Sequence, residues 1–223
     1  MFKNNRAGIG NVAKEGNAPS GLSKARVEAL TDGIFAFAMT LLIMNIELPE
    51  AAPVDSAADA ATALLMSLAP DFMHYVIAFA VLAGFWVMHH NVFEHIRVID
   101  RRMLWLNIIS LLFVALLPFS TDLADTYVDF PASAIFFEMN ILMISLLYWV
   151  QWSYACGRKE FLRENVSPEH IRVTRMGMLV MPVVSLAGMA IALLGGTWST
   201  AIYIGVPLVY TVWPRLFRGR AEG

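Results

Sequence analysis

Six apolar stretches, at roughly residues 28–47, 70–93, 103–121, 132–154, 173–195 and 199–216, leave this chain few ways to fold. Each is about 18 residues or longer, enough for a helix to cross the ~30 Å of hydrocarbon in a bilayer. Backbone N–H and C=O groups in lipid must be satisfied within the protein, so segments of this kind cross as helices. An apolar share of 58% against 15% charged residues fits such a chain and falls outside the range of soluble domains. Six spans take over half of the 223 residues, so no separate soluble domain is expected.

The charges then fix the orientation. Placing the N-terminus inside puts all sixteen Lys and Arg residues on one side of the bilayer. They lie in the N-terminal segment, the second-to-third and fourth-to-fifth connections, and the C-terminus, as the positive-inside rule requires. The outer connections instead carry Glu47, Glu50, Asp55, Asp59, Asp71, Asp122, Asp125 and Asp129. Residues 1–23 are polar and lack the apolar core of a signal peptide, so they read as a flexible cytoplasmic tail. Residues 24–217 read as one transmembrane domain and 218–223 as a short basic tail.

Smaller signals divide the chain further. Ala57 to Leu68 reads as a short helix on the outer surface, with the second span starting at Pro70. A tight charged stretch, Glu94 to Arg102, joins the second and third spans and predicts that they pack side by side. Ser167 is a candidate N-cap with Pro168 as first helical residue. Gly195-Gly196 ends the fifth helix, while Pro118, Pro182 and Pro207 read as kinks inside spans.

Ionisable groups inside a span are costly unless paired, which makes each a functional candidate. Asp32 lies about one turn inside the cytoplasmic interface. His89 and His90 close the second span at a similar depth, and Asn107 sits about one turn into the third. The three levels coincide, so a hydrogen-bonded knot between helices is expected, either as a packing lock or as the inner mouth of a pore. Adjacent His89 and His90 point ~100° apart on a helix and lack the i, i+4 spacing of helical zinc sites. No metal or other cofactor is expected. Cys156 is the only cysteine and has no disulfide partner within the chain. Phe37, Thr40, Leu41 and Met44 share one face of the first helix, flanked by small Gly33, Ala36 and Ala38 that permit close helix packing.

These residues resemble a known family. Arg26-x-x-x-Leu30-Thr31-Asp32 is similar to the R-x-x-x-F-S-D signature that opens the first helix of the transmembrane protein 175 family of potassium channels. Gly33 through Leu42 continue its pattern. Phe85-Trp86-x-x-His89-His90 and Leu104-Trp105-Leu106-Asn107 through Leu117-Pro118-Phe119 resemble the family's next segments, with coverage over roughly residues 24–122.

The resemblance implies six helices per repeat, bacterial members of one repeat that assemble as homotetramers, and a central pore lined by the first helix. By position it implies a constriction at Phe37, Leu41 and Met44, and a selectivity ring at Thr40. It also implies an inner hydrogen-bond network of Arg26, Thr31, Asp32, Trp86, His89 and Asn107. Leu30 and Thr31 replace Phe and Ser with similar chemistry. Phe37 stands where Ile or Leu is usual, a bulkier plug.

The expectation is a weakly selective potassium channel in a bacterial plasma membrane, with K+ as the transported ion, lipid and its own copies as partners, and no nucleic acid. The readings that stay open are a proton or mixed-cation leak through Asp32 and the His pair, an intramembrane cofactor protein or enzyme built on His89 and His90, and a membrane scaffold. No positioned nucleophile and base are legible, so catalysis ranks last.

Overall fold

The computed structural model describes residues 23–48, 57–195 and 199–206. The expectations for the N-terminal tail up to residue 22, the sixth span beyond Val206, Pro207 and the basic C-terminal tail lie outside the described residues.

The described chain is all α-helical apart from one isolated bridge. Its helices are α1 (Lys24–Leu41), α2 (Ala57–His95), α3 (Arg101–Thr126), α4 (Pro131–Cys156), α5 (Pro168–Gly177) and α6 (Val180–Leu193). A 3-10 turn, Leu42–Asn45, extends α1, and a 3-10 segment, Ser199–Gly205, follows α6. Among the described residues, five stretches are long and apolar enough to cross a membrane: 24–45, 61–95, 101–126, 131–156 and 168–193.

Two boundaries differ from the sequence reading. The expected surface helix at 57–68 is continuous with the second span, because Pro70 is accommodated inside α2 instead of starting it. The expected fifth helix is split at Met178–Leu179 into α5 and α6. Pro182 has no N–H for the Met178 carbonyl, and its ring crowds that group. In the first turn of a new helix the missing donor costs nothing. The N-cap at Ser167 is present, its hydroxyl accepting from the His170 N–H at 3.1 Å, and Gly195 adopts a left-handed φ of 83° just past α6.

Helix α4 is central, packing most extensively against α3 and α6, while α3 also supports α1. Helix α3 therefore leans on α4 more than on α2, its expected neighbour. One apolar cluster gathers Phe35, Leu82, Phe85, Leu117, Phe137 and Ile144. A second, toward the basic end, gathers Val27, Phe93, Ile96, Met103 and Trp152. Side-chain hydrogen bonds cross the α3–α4 seam as well: Asn140 donates to Ser120 at 3.0 Å, and Gln151 to Ser110 at 3.2 Å.

Ile96 and Leu162 form an antiparallel bridge, in which Arg97 N–H meets the Phe161 carbonyl at 2.7 Å and Arg163 N–H the His95 carbonyl at 3.0 Å. The Arg-bearing α2–α3 and α4–α5 connections thus meet at one end of the bundle. At the other end His74 Nδ1 lies 2.6 Å from Asp125 Oδ1. Basic and acidic ends separate in space as they do in the sequence.

Candidate functional site

Helix α1 is attached to the bundle by one face only. Val27, Thr31, Phe35, Ala38 and Leu42 are buried, whereas Gly33, Ala36, Phe37, Thr40 and Met44 are exposed. Phe37 is 64% and Met44 75% exposed. Leu41 lies at the edge, half-buried. In α1 28% of the apolar stretch is buried, against 39% to 44% in the other four spans. The chain thus leaves uncovered the stripe that carries the residues proposed above for a constriction. Thr40 Oγ1 donates to the Phe37 carbonyl at 2.8 Å, so its hydrogen is held within the helix while its oxygen stays on the exposed face.

Toward the basic end of the bundle the expected network resolves into two separate units. Asn107 Nδ2 donates to Thr31 Oγ1 at 3.1 Å, and its Oδ1 lies 3.0 Å from His89 Nε2, all three residues being buried. Thr31 passes the chain on by donating to the Val27 carbonyl at 2.9 Å. One amide therefore joins α1, α2 and α3. The second unit is exposed: Trp86 Nε1 donates to Asp32 Oδ1 at 2.9 Å. Arg26 is also exposed and joins neither unit. The two histidines diverge as their spacing requires, His89 stacking on Phe93 inside and His90 on Trp86 outside. Among the described residues no group of three or more His, Cys, Asp or Glu is arranged to hold a metal.

Sequence reading passed over Glu138. It is the one acid in the 132–154 span, it is 0% exposed, and it accepts a hydrogen bond from the Tyr203 hydroxyl. The signal was available, because a carboxyl inside a span is a functional candidate by default. Its partner lies 65 positions away, a pairing that no local pattern reveals.

This arrangement is that of a multi-pass helical membrane protein whose first helix is anchored by a polar tie and left open on its opposite face. Comparison with known proteins gives the family. The model described as endosomal/lysosomal potassium channel TMEM175 matches residues 26–118. A potassium channel of Streptomyces collinus is 30% identical over 159 residues, covering 68% of this chain and 73% of that protein. The endosomal/lysosomal proton channel TMEM175 of Mus musculus is 30% identical, over 88% of this chain and 42% of the mouse protein. A crystal structure of a lysosomal potassium-selective channel TMEM175 homolog from Chamaesiphon minutus shares the fold, with a TM-score of 0.63 and 24% identity over 90% of this chain and 98% of that one. The chain belongs to the TMEM175 family. It is a channel-type membrane protein related to bacterial homologues, consistent with a plasma-membrane location.

Proposed function

We propose that the chain assembles as a homotetramer that conducts potassium, with weak selectivity among monovalent cations, through a pore lined by the exposed face of α1. The observation that carries this reading is the uncovered stripe of Gly33, Ala36, Phe37, Thr40 and Met44 opposite a firmly anchored face. Copies of that stripe meeting around an axis set apolar rings at Phe37 and Met44 about 10 Å apart along the helix, with Leu41 at their edge. Such rings resist wetting, and ions pass when the helices splay or rotate. Thr40 offers the polar oxygen between them. The relative from Streptomyces collinus, named a potassium channel, supports the choice of ion.

Proton conduction is the second reading, favoured by the name of the mouse relative and by Asp32 on the open side of α1. Reversal potentials under separate potassium and pH gradients distinguish the two. Replacing Phe37 with Ala is expected to raise potassium flux into liposomes at least several-fold. Flux no greater than that of protein-free vesicles would overturn the pore assignment.

A further inference from the structure

The buried carboxyl of Glu138 lies away from the α1 stripe, about 10 Å along α4 from its outer end at Pro131. Its surroundings are built around it. The Tyr203 hydroxyl donates to Oε2, and a Cβ at position 188 would overlap the carboxyl, so α6 meets it with the bare backbone of Gly188. Oε1 has no hydrogen-bond partner among the described residues. None of the ion pairs among the described residues involves Glu138. A carboxyl so enclosed is accommodated by taking up a proton or a cation, since an isolated charge in such surroundings is strongly disfavoured.

At the acidic end of the bundle a cavity of about 70 Å³ is lined by His74, Thr121, Asp125, Asp129, Ser199 and Thr200, among others. It has the volume and polar partners to hold water. Three further relations fix where its floor lies. Ala134 lines the cavity and stands one turn outward from Glu138 on the same face of α4. Ala192 lines it and stands one turn outward from Gly188 on α6. Ser199 and Thr200 line it and precede Tyr203 by about one turn. On α4, α6 and the Ser199–Gly205 segment alike, the residue one turn toward the outside borders the cavity.

We propose that Glu138 is a proton-binding site within the subunit, loaded from the outer cavity, whose charge state controls how α4 seats against α6 and the Ser199–Gly205 segment. The titratable groups on the neighbouring elements are Tyr203, in contact, and, lining the cavity, His74 of α2, Asp125 of α3 and Asp129 of the α3–α4 connection; α6 contributes none. With the proton bound, the neutral acid fits the niche at Gly188. Ionised, it draws water from the cavity and loosens that seam. The site is independent of the pore assignment and stands whichever ion the α1 stripe conducts.

Intact cells expressing the full chain are treated with dicyclohexylcarbodiimide, which modifies protonated carboxyls in apolar surroundings. Outer pH is stepped across about 5 to 9, which brackets the range of perturbed carboxyls. The expected result is modification of Glu138, read by mass spectrometry, that falls about tenfold or more as outer pH rises. Tyr203→Phe is expected to move the midpoint of that fall. Glu138 left unmodified at the acid end, or modified equally at every pH, overturns the proposal. Modification that follows cytoplasmic pH when an ionophore shifts it at fixed outer pH overturns the outer route. In detergent, Glu138→Gln is expected to abolish a pH-dependent change in melting temperature that the parent chain shows; where that variant does not fold, the labelling of the unaltered chain decides.

Discussion

Asn107 and Thr31 are joined at 3.1 Å in a position where neither reaches water. Because the same amide also meets His89 at 3.0 Å, it ties α3 to both α1 and α2 by hydrogen bonds. Asn107→Ala leaves the imidazole nitrogen of His89 buried without a partner, while Thr31 keeps its bond to Val27. An orphaned buried polar group costs about 1–3 kcal/mol, and interhelical hydrogen bonds in membranes average about 0.6 kcal/mol. Asn107→Ala is therefore expected to destabilise the protein by about 1–2 kcal/mol. Thermal unfolding in detergent measures it, and a melt matching the parent's would show that the tie contributes nothing.

The Trp86–Asp32 bond has similar length, 2.9 Å, but a different setting. Both residues are exposed on the surface of the chain and outside the buried Thr31–Asn107–His89 unit. Trp86→Phe is expected to change stability by less than about 0.5 kcal/mol, the usual range for surface substitutions. Its effect is expected in ion flux instead, because it frees Asp32 on the open side of α1. Flux and melting temperature measured on one preparation separate the outcomes. A large loss of stability with unaltered flux would make this bond a packing contact.

What the sequence made legible follows from the range over which each signal acts. Hydropathy summed over about 20 residues locates the five described spans, and the sorting of Lys and Arg separates a basic from an acidic end before any packing is known. The divergence of His89 and His90 is likewise a local consequence of helix geometry. Prolines were harder to place. Pro70 lies within a helix and Pro182 at the start of one, and only the carbonyl each displaces decides which. Helix α1 is apolar all round, so its open face emerges only from which residues the rest of the bundle covers. The Glu138–Tyr203 contact and the cavity above it depend on segments far apart in the chain, so they wait on tertiary structure.

At the basic end, acid is expected to weaken the connection between α2 and α3. Asp100 caps α3, with Oδ1 accepting from the Met103 N–H at 2.8 Å and Oδ2 from the Tyr154 hydroxyl at 2.5 Å, and Arg158 lies 3.5 Å away. Burial opposes ionisation here, but the bonds from Tyr154 and Met103 together with the Arg158 charge outweigh it, holding the carboxyl below the usual carboxylate range. A group whose pKa falls on folding stabilises the fold fully above its unfolded pKa, about 3.9 for Asp. That contribution is lost as pH drops through the lower folded value. The parent is thus expected to lose stability below about pH 4, and Asp100→Asn, which keeps a capping oxygen, to lose less over the same interval. Melting curves at about pH 3 and pH 7 test this, and parallel behaviour of the two proteins would assign the acid loss to other groups.

Thr40 allows the proposed selectivity to be separated from the proposed constriction. Its hydroxyl hydrogen is engaged with the Phe37 carbonyl at 2.8 Å, leaving the oxygen as the polar atom between two exposed apolar side chains. Thr40→Ser preserves that oxygen, whereas Thr40→Val preserves the shape and removes it. If the oxygen favours potassium over sodium, the valine variant is expected to conduct with the preference largely gone and the serine variant to resemble the parent. A tenfold preference corresponds to about 1.4 kcal/mol, within what a hydroxyl contact to an ion supplies. Reversal potentials with potassium on one side and sodium on the other read it directly. Equal potentials for the serine and valine variants would place ion preference elsewhere on the permeation path, while leaving the apolar rings to be judged by Phe37→Ala alone.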